Sequence, residues 1–207
     1  IMGLLAAAFA RKSSSSYDVL RQIAGWGRTS ASGKTVNVQT AIEVATVFAC
    51  MRVIANGIAQ VPLKLMRESD DGKSRLPAKD HPLYRILGTR PNEWQTSFEY
   101  REMLAMHMVL CGNAYSFVNR SNRAGVMELI PFEPGQVMVK RGDDAALTYE
   151  VRMKNGSAQI FPAKSIWHLR GPSWNSWYGL ESVKIAREAI GLTMAIEESQ
   201  ARMQKNG

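Results

Sequence analysis

The hydrophobic period of this chain changes at Gly112, and this change limits the folds that the chain can adopt. Before Gly112 apolar residues recur at helical spacing, most densely over Thr40–Gln60, where they occupy nearly every face. After it, short β-rich runs alternate with turn sequences such as Asn155-Gly156. The predicted strands are Ala114–Arg120, Met127–Pro131, Gln136–Arg141, Leu147–Met153, Ala158–Phe161 and Ser165–Leu169. Helices, then an antiparallel β region, then a final helix predict an α+β protein.

Local signals predict where the helices before Gly112 begin and end. Thr40 is the expected N-cap of the first helix, which we expect to be buried on all sides. Its end is expected at the start of a strand, Pro62–Glu68. A short helix is predicted after Pro82. Thr96 and Glu99 form a capping-box pattern, which predicts another helix.

The final segment, from about Leu180 to Lys205, is predicted to be one long helix with two apolar stripes. Its charged side carries Lys184, Arg187, Glu188, Glu198, Arg202 and Lys205. One apolar stripe comprises Ile185, Ala189, Leu192, Ile196 and Met203, and the other comprises Val183, Ala186, Ile190, Met194 and Ala201. Such a helix either packs between neighbouring subunits, or packs one stripe on its own domain while further chain covers the other. Both interpretations stay open at this point.

The charge of the chain is concentrated near its start. The net charge is +8, with 26 Lys and Arg against 18 Asp and Glu. Residues 1–35 carry basic residues with Asp18 as the one acid, and are predicted to be a flexible basic leader, including a linker at Arg28–Lys34. Such a leader favours contact with a polyanion, or it only keeps the chain soluble. The longest apolar stretch, Val44–Met51, is too short to span a membrane, so no membrane partner is predicted.

No catalytic constellation is evident in the sequence. It contains no Walker lysine loop, no Gly-x-Gly-x-x-Gly opening a helix and no Gly-x-Ser-x-Gly elbow. His81, His107 and His168 fall in three different elements, none at metal-ligand spacing, so no metal and no cofactor are predicted. His168 with Arg170 at a strand end is the best lead for a phosphate site. A histidine that caps a strand through hydrogen bonds is the simpler interpretation, and His107 is interpreted as structural.

Aromatic and thiol side chains offer two further leads. Trp174, Trp177 and Tyr178 cluster before the last helix, either as a stacking platform for bases or as a packing or protomer contact. Cys50 and Cys111 lie in apolar helical patterns, so both are predicted to be buried, reduced thiols.

A series of short sequences in a fixed order points to one family. The series is Ala41–Leu65, His81-Pro82-Leu83, Arg90-Pro91-Asn92, Gly112-Asn113-Ala114-Tyr115, Leu129-Ile130-Pro131 with Pro134, Ile166-Trp167-His168-Leu169, and Gly179-Leu180-Glu181-Ser182 before a helix ending Lys205-Asn206-Gly207. From about residue 36 to the end, the chain resembles the portal proteins of tailed bacteriophages, of the siphophage type.

The resemblance implies a fold with wing, stem, clip and crown parts. Residues 36–178 would form the wing, with helices and a small antiparallel β region. Residues 179–207 would form a long stem-type helix, or its junction with the wing. The clip and crown parts are expected to be absent from this chain.

The resemblance also implies a function without enzymatic activity. Portal proteins of this type form a ring, typically of twelve subunits, at one capsid vertex, and double-stranded DNA passes through its channel during packaging and ejection. The implied partners are further copies of the chain, double-stranded DNA, the major capsid protein, the large terminase subunit and a head-tail adaptor protein. The implied location is the portal vertex of the virion, and the host cytoplasm during assembly.

Two sets of candidate residues follow from this interpretation. The candidates for the DNA channel are Lys184, Arg187, Arg202 and Lys205. The candidates for subunit contacts are Val183, Ile185, Ile190, Leu192, Met194, Ile196, Trp174 and Trp177. Two other functions remain open: a nucleic-acid-binding module that uses the basic leader and the tryptophan loop, and a phosphoesterase that uses His168.

Overall fold

The computed structural model describes residues 28–69, 71–121, 125–142, 145–153 and 155–206. These ranges form an α+β structure in which the helices precede and follow the β region. The helices are α1 (Val38–Glu43), α2 (Ala45–Gln60), α3 (Pro82–Gly88), α4 (Ser97–Cys111), α5 (Ser182–Ile185) and α6 (Arg187–Asn206). The strands are β1 (Arg28–Thr29), β2 (Thr35–Val36), β3 (Met66–Glu68), β4 (Arg75–Pro77), β5 (Asn113–Ser121), β6 (Gly125–Pro131), β7 (Val137–Arg141), β8 (Leu147–Arg152), β9 (Ala158–Pro162) and β10 (Ile166–Arg170).

The strands after Gly112 form two antiparallel sheets of three strands each. One has the order β10-β5-β6 and the other the order β7-β8-β9, while β1-β2 and β3-β4 are separate two-stranded hairpins. The six strands predicted in this region are confirmed, with ends displaced by one or two residues. The strand predicted at Pro62–Glu68 is shorter than expected, because only Met66–Glu68 pairs with β4.

The first helix begins earlier than predicted and is interrupted. Asn37, not Thr40, is the N-cap: its side chain accepts a hydrogen bond from the Thr40 backbone N–H. Thr40 is the reciprocal member of the same capping box, since the Asn37 N–H donates to its hydroxyl. Val44 then adopts an extended conformation and separates α1 from α2. The prediction of one continuous helix from Thr40 is therefore wrong.

Helix α2 is buried on one face, not on all sides as predicted. Met51, Ala55 and Ala59 lie in the interior, and the helix packs mainly on α4 and α1. Cys50 is exposed, which contradicts its prediction as a buried thiol, whereas Cys111 is partly buried. Helix α2 thus has more apolar surface than the described part of the chain covers.

Helix α4 follows its predicted signals at both ends. The Thr96 hydroxyl accepts from the Glu99 N–H, and the Glu99 carboxylate accepts from the Thr96 N–H. Hydrogen bonds from the backbone N–H and side-chain hydroxyl of Thr96 lower the pKa of Glu99. Gly112 ends the helix in the left-handed conformation, with φ +71°. Both predictions are confirmed.

Three hydrophobic clusters connect the elements. The first joins α1, α2 and the end of α4 to Val183 and Ile190, and the second lies between α3, α4 and the sheet β10-β5-β6. The third joins the two sheets around Tyr115 and Tyr149. The prediction of one continuous helix from about Leu180 to Lys205 is wrong, because Ala186 separates α5 from α6. Both helices belong to the same core as the first helices.

The segment Arg28–Lys34, predicted as a flexible linker, is folded. It forms the hairpin β1-β2, whose Ala31 N–H donates to the Glu188 carboxylate at 2.8 Å. Lys34 forms an ion pair with Glu198, and the backbone of Gly191 lies so close to Ser30 that a Cβ at position 191 would overlap the Ser30 side chain. The linker prediction is wrong because the partner of this segment lies more than 150 residues away on α6. The rest of the predicted leader, residues 1–27, lies outside the described residues.

Candidate functional site

The chain enters its last helices, α5 and α6, beside the end of α4, where the backbones of Gly112 and Gly179 cross in direct contact. Gly112 ends α4, and Gly179 lies just before α5. A Cβ on Gly112 would overlap the carbonyl of Leu180, and a Cβ on Gly179 would overlap the carbonyl of Gly112. The Gly171 N–H also donates to the Gly112 carbonyl at 2.8 Å. The crossing therefore requires glycine at both positions.

Asn113 fixes this crossing from a buried position. Its Oδ1 accepts from the Gly179 N–H at 2.8 Å, and its Nδ2 donates to the Gly179 carbonyl at 3.0 Å and to the Cys111 carbonyl at 3.1 Å. One side chain thus pairs both backbone groups of Gly179 with the end of α4. Asn113 belongs to the family pattern in the sequence, where no role was predicted for it. The signal that could have found it is an asparagine directly after a glycine that ends a helix.

His168 belongs to the same network and is structural. Its Nε2 donates to Asn113 Oδ1 at 3.0 Å, and its Nδ1 accepts from the Tyr149 hydroxyl at 3.2 Å. The ring also packs against Tyr115, with the two ring centroids 4.4 Å apart. Desolvation, reinforced by the Arg170 charge, lowers the pKa of His168 to about 4. Since both ring nitrogens are engaged, the phosphoesterase interpretation loses the residue on which it depended.

The four DNA-channel candidates occupy different environments. Lys184 is exposed and lies 4.0 Å from the Glu181 carboxylate. Arg202 pairs with Glu198 and is exposed, as is Lys205. Arg187 is half-buried, and its enclosed Nε has no hydrogen-bond partner among the described residues. The structure therefore exposes Lys184, Arg202 and Lys205 to solvent, whereas it partly buries Arg187.

Arg187 faces a cavity at the junction between the body and α5-α6. The cavity has a volume of about 560 Å³, and its walls include Arg28, Tyr115, Glu181 and Lys184. Desolvation and the Glu181 carboxylate raise the pKa of the Cys111 thiol, which also lines the cavity, to about 12. Cys111 is therefore a neutral thiol at physiological pH.

The subunit-contact candidates on the last helices fall into two groups. Val183, Ile190 and Met194 pack into the chain's own first cluster. Ile185, Leu192 and Ile196 remain 67%, 56% and 48% exposed. The first stripe identified in the sequence is therefore uncovered within the described chain, and the second packs on its own domain, except for the exposed Ala186 and Ala201.

The tryptophan loop presents one of its two indoles to solvent. Trp174 is 91% exposed, whereas Trp177 is half-buried against Tyr178, with ring centroids 6.1 Å apart. The Asn175 side chain holds the loop by accepting hydrogen bonds from the Trp177 and Tyr178 N–H groups. Trp174 is therefore available to a partner.

In the described part of the chain, no three His, Cys, Asp or Glu side chains come together as possible ligands of one metal ion. None of the described helices is both long and apolar enough to cross a membrane.

Comparison with known proteins decides the family. Residues 45–207 match the family model of the phage portal protein. The chain belongs to the phage portal protein family. It is 27% identical over 186 residues to the portal protein of Enterobacteria phage HK97, an alignment that covers 87% of this chain and 43% of the HK97 protein.

Solved structures share the fold of this portal-family chain. A chain from the neck of an empty GTA particle, computed with C6 symmetry, has a TM-score of 0.67 and 23% identity, over 80% of this chain and 45% of that one. A chain from the neck of a native GTA particle, computed with C12 symmetry, has a TM-score of 0.63 and 21% identity, over 80% of this chain and 43% of that one. The chain spans less than half the length of these relatives.

The Asn113 network makes a prediction about the stability of this portal-family chain. Asn113→Ala should lower the free energy of unfolding by about 2–4 kcal/mol, because it leaves buried backbone groups of Gly179 and Cys111 without partners. Urea denaturation followed by circular dichroism measures the loss. The matched control is Asn119→Ala, whose partly buried amide donates to the Glu128 carboxylate and should cost about 1 kcal/mol or less. Equal losses for the two variants would contradict the role assigned to Asn113.

The buried imidazoles predict a loss of stability in acid. Desolvation lowers the pKa of His107, as well as that of His168, to about 4, against about 6.5 in an unfolded chain. Between these values the unfolded chain binds protons that the folded chain does not, so stability falls as the pH drops from about 6.5 towards 4. Urea denaturation at pH 7.5 and 5 should show this fall, and His107→Gln with His168→Gln should reduce it. A double variant with the full wild-type dependence would show that other groups cause it.

Proposed function

We propose that this chain is part of a subunit of a ring-shaped portal at one vertex of a phage capsid. The observation that carries the proposal is the uncovered apolar stripe of α6 in a chain whose family is that of phage portal proteins. The C6 and C12 symmetry of the GTA necks that share its fold supports a ring, and twelve copies are the proposed number. The ring would serve as the channel through which double-stranded DNA is packaged and ejected.

The stripe on α6 is suited to a lateral contact between subunits. Leu192 and Ile196 lie on one side of α6, and Ala189 and Met203 extend the same side. The exposed Ile185 ends the short helix α5 just before it. No charged residue interrupts this side, so covering it removes apolar surface from water without burying a charge. Val183, Ile190 and Met194 support the contact indirectly, because they hold α6 on the body.

The charged side of α6 is suited to weak contact with DNA phosphates. Arg202 and Lys205 are exposed there, and Glu198 neutralises part of their charge. Lys184 is exposed on the preceding helix α5. A phosphate separated by water contributes about 1 kcal/mol or less per charge. A channel through which DNA slides requires such weak contacts, so we propose that this side faces the DNA path.

The portal proposal includes partners and a location. The major capsid protein would surround the ring at the vertex, and the large terminase subunit and later a head-tail adaptor protein would dock on it. The chain would act structurally, without catalysis, at the portal vertex of the virion after assembly in the host cytoplasm. The exposed Trp174 and the half-buried Trp177 are available for one of these protein contacts.

The ring proposal is tested on α6. Leu192→Asp with Ile196→Asp should abolish ring formation by the full-length protein, because burying two unpaired carboxylates in a subunit contact costs several kcal/mol each. Native mass spectrometry measures the loss of the ring. The control is Ala201→Asp, which places one carboxylate on an exposed part of the same helix, away from the stripe. Rings of normal size from the double variant would remove this stripe from the subunit contact.

The DNA proposal is tested by removing three charges together. Lys184→Gln, Arg202→Gln and Lys205→Gln, combined, should lower DNA packaging into capsids while the rings still form, whereas each single change should have little effect. The matched control replaces Lys140, Arg141 and Arg152 with Gln, three exposed cations of the sheet β7-β8-β9. A packaging loss of equal size in both triple variants would indicate a general charge effect and not a DNA path along α6.

A further inference from the structure

Helix α2 carries a second uncovered apolar stripe. Cys50, Ile54 and Ile58 follow one another at spacings of four residues, so they lie on one side of the helix. Val61 follows directly after the end of the helix, and all four residues are exposed. The interior residues Met51, Ala55 and Ala59 form an adjacent line. Arg52 is the one charged residue of α2 and lies on the polar side. The stripe is thus as free of charge as the stripe on α6.

The two stripes are separate patches of the molecule. Helix α2 packs mainly on α1 and α4, whereas α6 packs mainly on β2 and α5. Within the described part of one chain, neither helix covers the apolar stripe of the other, and the residues of both stripes remain exposed. Each stripe therefore needs an occupant from elsewhere.

Cyclic symmetry allows these two patches to be the two halves of one subunit contact. In a closed ring of more than two subunits, each subunit contacts its neighbours through two different patches, one on each side. A stripe on α6 that contacts the next copy must therefore meet a different surface there. Among the described helices, the stripe on α2 offers a matching surface: an uncharged, exposed row of apolar side chains.

We propose that the α6 stripe of one copy packs on the α2 stripe of the neighbouring copy. This inference rests on the ring proposed above and names the second half of its subunit contact. At a rise of about 1.5 Å per residue, the part of the stripe on α6, from Ala189 to Met203, is about 21 Å long, and the stripe on α2, from Cys50 to Ile58, is about 12 Å long. A stable interface buries roughly 800 Å² on each partner, so the two stripes form its apolar centre and polar contacts surround them.

Cross-linking in intact rings tests the pairing. Full-length protein carrying Ile196→Cys keeps the native exposed Cys50, and a short bismaleimide should join residue 50 of one copy to residue 196 of the next. A denaturing gel should then show a ladder of covalent dimers, trimers and larger species at the expense of the monomer band. Cys50→Ser with Ile196→Cys should give no ladder. Ala201→Cys with native Cys50 should give none either, because position 201 lies away from the stripe.

The possible results separate this inference from the ring itself. If native mass spectrometry finds rings but cross-linking leaves the monomer band unchanged, or joins the two thiols within one chain, the α2–α6 pairing is overturned and the ring stands. A covalent dimer that persists in the Cys50→Ser control would also overturn it, because a cross-link between residue 196 of two copies would then explain the product. If the protein forms no ring, the proposed function and this inference fail together.

Discussion

The crossing of Gly112 and Gly179, held by the Asn113 side chain, is the constraint on which the rest of the structure depends. It joins the end of α4, the start of β5 and the entry to α5 in one small volume. Because His168 donates to the same amide oxygen, strand β10 is tied to this point as well. The position of α6, and so of every candidate residue on it, follows from this junction.

Sequence reasoning succeeded where the determining partners are close in the chain. The ends of α4 follow from Thr96 with Glu99 and from Gly112, all of which act within one turn of the helix. The strands after Gly112 follow from alternation and from turn residues, which are also local. The order of helices, sheets and a last helix, and with it the α+β class, could therefore be predicted.

Sequence predictions failed where the interacting residue is distant in the chain, or where one helix has an apolar side that faces the core and another that does not. Nothing near Arg28–Lys34 shows that α6 will accept its hydrogen bonds, so a serine- and glycine-containing stretch suggested a linker. A count of apolar residues in α2 cannot distinguish a side that faces the core from a side that faces another surface, and Cys50 was misplaced for this reason. Likewise, helical periodicity predicted Arg187 on the charged side of the last helix with three other cations, but its Nε is enclosed at the cavity.

The hairpin β1-β2 holds helix α6 at two separate points. Its Ala31 N–H and Lys34 ammonium hold Glu188 and Glu198, which lie ten residues apart on α6 and so about 15 Å along its axis. Two anchors at that spacing resist rotation of the helix, as one anchor could not. A displacement of the hairpin would therefore carry α6 with it instead of letting the helix turn about its own axis.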